Sequence, residues 1–178
     1  MSVDQEHYRH AMSRLATGVT VVTTRGHDRH ELMTANAVMS VSLTPTLLAV
    51  GVAEGARWLP AVLDCGRFAV NVLSDEHEEL ARWCADRARH DRPGDLLGHD
   101  ARLSSTGLLL LSDALAAIEC TLYDQHLAGD HRLVIGEVDR VERPVAAGKP
   151  LVFHDRTFTT TRAAAPVLRQ VAGRVAAS

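Results

Sequence analysis

Aromatic residues are scarce in this sequence, at 4% of 178 residues, and basic residues are not in excess. The formal net charge is −3 at pH 7. Proteins that bind nucleic acid usually carry a basic surface, and those that bind single strands add aromatic side chains on which bases stack. These two shortages argue against nucleic acid as a partner.

Long apolar runs are also missing. No stretch approaches the roughly 18 apolar residues that a membrane-spanning helix needs, and the first residues are charged from Asp4 onward. We therefore expect no membrane partner, no signal peptide and a cytoplasmic location. The cysteines are few, widely spaced and without a CxxC pair, which argues against disulfides and zinc; they are Cys65, Cys84 and Cys120.

Several motifs of common enzymes are absent. The sequence has no GxGxxG after a strand, no GxxxxGK[ST] loop and no GxSxG elbow. Two histidine pairs, His7/His10 and His27/His30, have HxxH spacing, but neither has a third ligand nearby in the sequence. The sequence therefore predicts no metal site.

What is present is a series of β-type segments joined mostly by short turns. Asp4 to Leu15 has the apolar spacing of a helix that Gly18 would end, and Asp75 has the pattern of a second helix start. Residues 33–43 and 151–161 each read as one strand, among about seven in all. Seven strands in a small chain hide their edges best by closing. We therefore predict a mainly β fold, an antiparallel β-barrel with peripheral helices.

The stretch from Met33 to Ser42 begins with small polar residues and continues into a β-type segment. A backbone lined with Thr, Ala, Asn and Ser is narrow, so a flat ligand with polar edges can lie along it and bond to main-chain groups. An edge strand with a polar outer face is the alternative interpretation.

A second candidate is His131, which follows Ala128-Gly129-Asp130 at a predicted hairpin turn. A histidine at the mouth of a hairpin can contact a ligand, and its charge changes near neutral pH. The alternative is an ordinary histidine on a surface turn.

Several segments together resemble the flavin reductase family, the small reductase components of two-component flavin-dependent monooxygenases. The similar segments run in the family's order from about Tyr8 to Phe158. They are YRHAMSRLATGVTVVTT at residues 8–24, MTAN at 33–36, SVSL at 40–43, RFAVNVL at 67–73, GDH at 129–131, IGEV at 135–138 and PLVFH at 150–154.

The resemblance implies a split β-barrel that binds FMN or FAD, usually as a homodimer. It implies hydride transfer from NADH or NADPH to the flavin, which then serves a partner monooxygenase. His131 would meet the nicotinamide or the flavin edge, and a loop at residues 90–105 would gate flavin exchange. The flavin-binding residues would be Thr34, Ala35, Asn36, Ser40, Val41, Ser42, Gly55, Ala56 and Arg57, with Phe68, Ala69 and Asn71 supporting that wall.

Several positions depart from the family pattern, among them Leu15, residues 44–46 and two that bear on the flavin site. Gly55 stands where the family often has Ser, and Met39 where Thr or Ser is common. These departures keep open an alternative: a flavin-binding split-barrel protein without general reductase activity, either a carrier or a diverged flavin-dependent pathway enzyme. We expect one domain over residues 1–162, followed by an Ala-rich tail over residues 163–178.

Overall fold

The computed structural model of the chain describes residues 3–86, 96–143 and 148–162. None of the helices in these ranges is long and apolar enough to cross a bilayer. The helices are α1 (Gln5–Ser13), α2 (Trp58–Cys65) and α3 (Glu78–Ala85), with a 3₁₀ turn at Asp75–His77. The strands are β1 (Thr17–Gly18), β2 (Thr20–Arg25), β3 (His30–Ala35), β4 (Val38–Leu43), β5 (Thr46–Ala53), β6 (Arg67–Val72), β7 (Ala101–Leu103), β8 (Leu109–Leu111), β9 (Ala116–Ala128), β10 (His131–Glu142), β11 (Leu151–His154) and β12 (Thr157–Thr160).

Seven of these strands form one antiparallel sheet in the order β3-β2-β6-β9-β10-β5-β4. The two edge strands, β3 and β4, follow each other in the chain and are separated only by Asn36 and Ala37. Two residues span only about 7 Å, so the opposite edges of the sheet must meet at this point. The Gly51 amide of β5 donates to the Ala37 carbonyl at 2.8 Å, which extends the β4–β5 pairing to this point. The curled antiparallel sheet confirms the predicted fold class.

The main core fills the inside of this curled sheet. Phe68 is fully buried and packs edge-to-face against Trp58 of α2, with ring centroids 5.6 Å apart. Gly136 lies directly above it, and a Cβ at this position would come within 2.4 Å of Phe68 Cζ and 2.7 Å of Cys120 Cβ. Glycine is therefore required here by packing.

The first helix largely follows its prediction. Asp4 caps α1 by accepting from the His7 amide at 3.0 Å. Gly18 does not end the helix, however, because α1 ends at Ser13 and Gly18 lies in β1, opposite Val152 of β11. The second cap is displaced by one residue: Ser74, not Asp75, makes the capping box with His77.

Two strand predictions and one loop prediction were wrong in detail. Residues 33–43 break at Asn36 into β3 and β4, and residues 151–161 form a hairpin that turns at Asp155 and Arg156, both of which have positive φ. The 90–105 segment contains β7, which pairs with β8. The rest of that predicted gating loop, residues 90–95, and the predicted tail, residues 163–178, lie outside the described residues.

Candidate functional site

β4 forms one side of the join, the point at Asn36 and Ala37 where the two edges of the sheet meet. Among the described strands β4 pairs only with β5, so its other edge carries main-chain N–H and C=O groups without a strand partner. Its apolar side chains are strongly exposed: Met39 by 58%, Val41 by 44% and Leu43 by 84%. An open, apolar strand edge of this kind is a liability unless something covers it.

A β-bulge lies within this strand at the predicted residues. The register with β5 shifts between Ser40 and Ser42, so that Val41 is the extra residue. Bulges re-aim side chains and are common beside binding sites. The Ser42 hydroxyl accepts from the Thr44 amide at 3.1 Å, which fixes the turn that follows.

A second predicted segment, the loop at residues 54–57, leads into α2. Space around Gly55 is open, since a Cβ there would meet nothing within 4 Å. The first turn of α2 contains no acidic residue, and its N-cap residue Arg57 makes no side-chain capping bond. Pro60 in the first turn has no N–H, and the Leu59 amide already donates to the Ala56 carbonyl at 3.1 Å. The positive end of the helix dipole and the Arg57 side chain are therefore the features that favour a phosphate here.

The third predicted segment, the His131 hairpin, lies beside this loop. His131 pairs with Ala53 of β5, and the Glu54 amide donates to the Asp130 carbonyl at 3.0 Å. His131 Nδ1 lies 2.7 Å from Asp130 Oδ1. This hydrogen bond lowers the pKa of Asp130 and orients the imidazole, while the side chain of His131 remains half exposed.

An Arg–Glu pair, which the sequence analysis did not identify, fastens the two segments together. Arg132 donates from Nε to Glu54 Oε1 at 2.8 Å and from Nη1 to Gln125 Oε1 at 2.5 Å. The hydrogen bond from Arg132 lowers the pKa of Glu54 and correspondingly raises that of Arg132. No local motif signals this pair, because its members are 78 positions apart.

A cavity of about 360 Å³, here called the inner cavity, lies between β3, the 54–57 loop and α3. This volume is within the range of small-molecule pockets. Thr34 lines it and donates from Oγ1 to the Ala81 carbonyl of α3 at 2.6 Å. Gly55, Ala56 and Arg57 line it as well.

A larger groove of about 770 Å³, here called the α1 groove, lies on the other side of the join. Asn36 and Ala37 form one wall, and the exposed apolar residues Tyr8, Met12 and Leu15 of the α1 region form the other. Thr34 and Asn36 therefore line different cavities, and Ala35 between them is buried.

Phe68, Ala69 and Asn71, which were expected to support the wall of the flavin site, have no surface open to a ligand. All three are completely buried in β6. Asn71 donates from Nδ2 to the Val21 carbonyl at 3.1 Å, and its Oδ1 accepts from the Leu111 amide at 2.9 Å. Because no surface of these side chains is open, they can support the wall but cannot contact a ligand.

The two HxxH pairs gather no third ligand among the described residues. His7 and His27 instead face their own neighbours: His7 Nδ1 lies 3.6 Å from Asp4 Oδ2, and His27 Nδ1 lies 2.7 Å from Asp28 Oδ1.

Comparison with known proteins identifies the fold. Residues 12–162 match the flavin reductase like domain. The chain is 40% identical over 159 residues to the NADH-dependent FMN reductase AsuE2 of Streptomyces nodosus subsp. asukaensis, covering 87% of this chain and 84% of the relative. It is 36% identical over 177 residues to the actinorhodin polyketide dimerase of Streptomyces coelicolor, covering 98% and 96% respectively.

A solved structure agrees with these matches. BorF, the flavin reductase component of a bacterial two-component tryptophan halogenase, superimposes with a TM-score of 0.81 at 36% identity. The match covers 88% of this chain and 98% of BorF.

Proposed function

Because the chain belongs to the flavin reductase like domain family, we propose that it is an NAD(P)H-dependent flavin reductase. It transfers hydride to FMN or FAD and supplies the reduced flavin to a partner monooxygenase. AsuE2 is named as a reductase that uses NADH and FMN, and BorF as the flavin reductase component of a two-component enzyme. These names support the proposed donor, acceptor and partner.

One observation carries the proposal: the 54–57 loop and the His131 hairpin, which are far apart in sequence, meet at one end of β5. The hydrogen bond from the Glu54 amide to the Asp130 carbonyl joins them, and the Arg132–Glu54 pair reinforces the contact. The loop proposed to receive the flavin phosphate and the imidazole proposed to meet the nicotinamide would therefore belong to one site.

The residues fit a flavin by their donor groups and open space. The unpaired edge of β4 offers main-chain donors and acceptors to the polar edge of an isoalloxazine, and Gly55 leaves room for a phosphate at the start of α2. We assign flavin contacts to Ser40, Val41, Ser42, Gly55, Ala56 and Arg57 and, where the ligand would cross the β3–β4 join between the two cavities, to Thr34, Asn36 and the main chain of Ala35.

When bound, the flavin supplies the redox chemistry, accepting hydride from the nicotinamide. The task of the protein is to hold two rings in contact and exclude alternatives. His131 orients the nicotinamide, and Asp130 holds the imidazole in position through the 2.7 Å hydrogen bond. No acid–base dyad is required.

We further propose that the chain acts as a homodimer. Large apolar side chains of the α1 region and of β4 are exposed, and exposed apolar surface of this kind commonly marks a protein interface; they are Tyr8, Met12, Leu15, Met39, Val41 and Leu43. A second copy of the chain would cover this surface. Gel filtration with light scattering should give twice the monomer mass of 19.3 kDa, and a monomer would contradict this part of the proposal.

A second candidate function is a flavin-dependent step on a pathway metabolite. The similarity to the actinorhodin polyketide dimerase over nearly the whole chain favours it, as do Gly55 and Met39 at positions where the family has hydroxyl side chains. Such an enzyme would retain its flavin and would oxidise NAD(P)H slowly when only flavin is added.

The test follows NADH and NADPH absorbance with purified protein, with and without FMN, FAD or riboflavin. The proposal expects flavin-dependent oxidation that continues over many turnovers. Tight yellow colour without turnover would favour the second candidate. If the protein shows no yellow colour and no turnover, both functions are excluded.

The role of His131 has a matched control on the same hairpin. His131→Ala should slow NAD(P)H oxidation by roughly 10-fold or more and change the flavin Kd by less than about 3-fold, because the imidazole acts on the nicotinamide. His126→Ala removes another exposed imidazole of β9 that faces Asp124 and should alter neither quantity. Equal losses of rate and flavin affinity in His131→Ala would contradict the assignment.

A further inference from the structure

His77, His99 and Asp113 converge although they come from three separate segments. His77 ends the 3₁₀ turn before α3, His99 lies in the connection before β7, and Asp113 lies in the turn between β8 and β9. One ligand atom from each lies within 4.8 Å of the other two. None of the three belongs to the residues assigned to the flavin.

We propose that His77, His99 and Asp113 bind a divalent transition-metal ion, with zinc as the preferred ion. Two imidazoles and one carboxylate form a donor set that suits Zn²⁺, with a water as the fourth ligand. The sequence analysis predicted no metal site because these residues share no short spacing: 22 positions separate His77 from His99 and another 14 separate His99 from Asp113.

The spacing of the donor atoms agrees with such an ion. His77 Nε2 lies 3.0 Å from Asp113 Oδ1, and His99 Nδ1 lies 3.0 Å from Asp113 Oδ2. Ligands at 2.0–2.1 Å around a tetrahedral ion are about 3.3 Å apart, so the two His–Asp pairs need only a small expansion, and all three donor atoms already lie within 4.8 Å of one another. The two imidazole rings are stacked, with centroids 4.6 Å apart and planes inclined by 24°, so one ring must rotate for both nitrogens to point at the same ion.

The burial of two donor atoms is an independent reason to expect an ion at this cluster. The side chain of His77 is completely buried, and neither His77 Nε2 nor Asp113 Oδ1 makes a well-aligned hydrogen bond to any described residue, despite their 3.0 Å separation. Buried polar atoms normally find a partner, and a metal ion between them would provide one. The Asp113 side chain is 43% exposed, which leaves a route for the ion and for its water.

The surroundings of His77 can support a metal-bound imidazole. Its Nδ1 lies 2.7 Å from the Ser74 hydroxyl and 3.1 Å from the Ser74 amide. Without metal, Nδ1 accepts from the amide and Nε2–H faces Asp113. With metal on Nε2, the proton is on Nδ1, which then donates to the Ser74 hydroxyl, as the second nitrogen of a metal-bound histidine usually does to a nearby acceptor, and the Ser74 amide gives up its bond to Nδ1.

The charge of Asp113 also suits a cation. Its two oxygens each face an imidazole nitrogen at 3.0 Å, so the carboxylate can supply negative charge between the two histidines. An ion here would link the start of α3 to the β7–β8 hairpin and would act on stability, separately from flavin reduction.

The experiment uses the full-length chain without an affinity tag, stripped of metal by a chelator. Zn²⁺ is titrated by calorimetry, and Co²⁺ is titrated by visible absorbance. We expect one ion per chain, intense Co²⁺ bands typical of tetrahedral coordination, and a Tm rise of roughly 5–10 °C at free zinc 100 times above the Kd.

Variants identify the ligands. His99→Gln and Asp113→Asn alter residues that are partly exposed, and each should weaken zinc binding by more than about 10-fold and remove the Co²⁺ bands. His126→Gln is the matched control, since His126 Nε2 lies 3.2 Å from Asp124 in an exposed pair, and it should bind zinc like the parent. If the parent binds no ion, or if His99→Gln binds as tightly as the parent, the cluster is a metal-free hydrogen-bond network and the proposal is wrong.

Discussion

Adding a hydroxyl at Gly55 tests where the flavin phosphate binds. A Cβ at this position would meet nothing within 4 Å, and the backbone φ lies outside the left-handed range, so Ser and Ala both fit. A hydroxyl that donates to a charged phosphate contributes about 1.5–3 kcal/mol. Fixing the exposed side chain offsets part of this, which leaves about 1–2 kcal/mol. Gly55→Ser should therefore bind FMN roughly 5- to 30-fold more tightly.

The assay is fluorescence titration of FMN and riboflavin against the parent, Gly55→Ser and Gly55→Ala. Riboflavin has the same ring without the phosphate, so its Kd should stay within about 2-fold in all three proteins. Gly55→Ala adds the carbon without the hydroxyl and should leave FMN binding unchanged. Equal tightening of FMN and riboflavin, or no tightening of FMN in Gly55→Ser, would refute the phosphate site at this loop.

Three further predictions concern the core, the thiols and acid. Gly136→Ala should cost about 3 kcal/mol and lower Tm by roughly 6–12 °C in a thermal melt, because its Cβ would overlap Phe68; a fall under about 2 °C would contradict this. Iodoacetamide at pH 8 should label partly exposed Cys65 but not Cys120, whose pKa burial raises to about 12, as mass spectrometry of native protein can check. With chelator present, Asp113→Asn should lower Tm at pH 7. Since the folded pKa of Asp113 is lowered, the difference from the parent should vanish as pH falls through that pKa, and a constant difference would contradict it.

The sequence predicted the strands well where local patterns were strong. The sequence of β6 is apolar on both faces, a pattern typical of a central strand, and β6 lies between β2 and β9 with four consecutive buried residues. Gly66 marks the end of α2 because glycine adopts the left-handed conformation easily, and Gly66 has φ of 69°. In both places the determining interactions are local.

Predictions failed where distant contacts decide the structure. Residues 33–43 look continuous, but β3 and β4 belong to opposite edges of one sheet, and the break at Asn36 follows from closure of the barrel. Gly18 looked like a helix end, but it lies in a strand because it pairs with Val152 of β11, more than 130 positions away. The Arg132–Glu54 pair and the His77–His99–Asp113 cluster are likewise products of the fold and have no sequence motif.

The predictions of site residues also depended on whether a local motif or a contact between distant residues decides the position. The MTAN and GDH segments identified His131 and the 33–42 stretch, but the sequence could not tell which residues of a segment face a cavity. β6 illustrates the limit, because its resemblance to the family reflects packing of Phe68 and hydrogen bonding of Asn71 in the interior. Which face of a residue is open depends on its neighbours in three dimensions.

The pairing of Thr17 with Phe153 has a consequence for how the chain folds during synthesis. β1 has its only described strand partner in β11, and the Asp155 amide donates to the Ser13 carbonyl at 2.7 Å, at the end of α1. Residues 5–18, which contain α1 and β1, therefore cannot complete these contacts until residues 151–155 have been synthesised. A stalled or prematurely terminated product would carry an unanchored, partly apolar leading segment that chaperones and proteases can recognise.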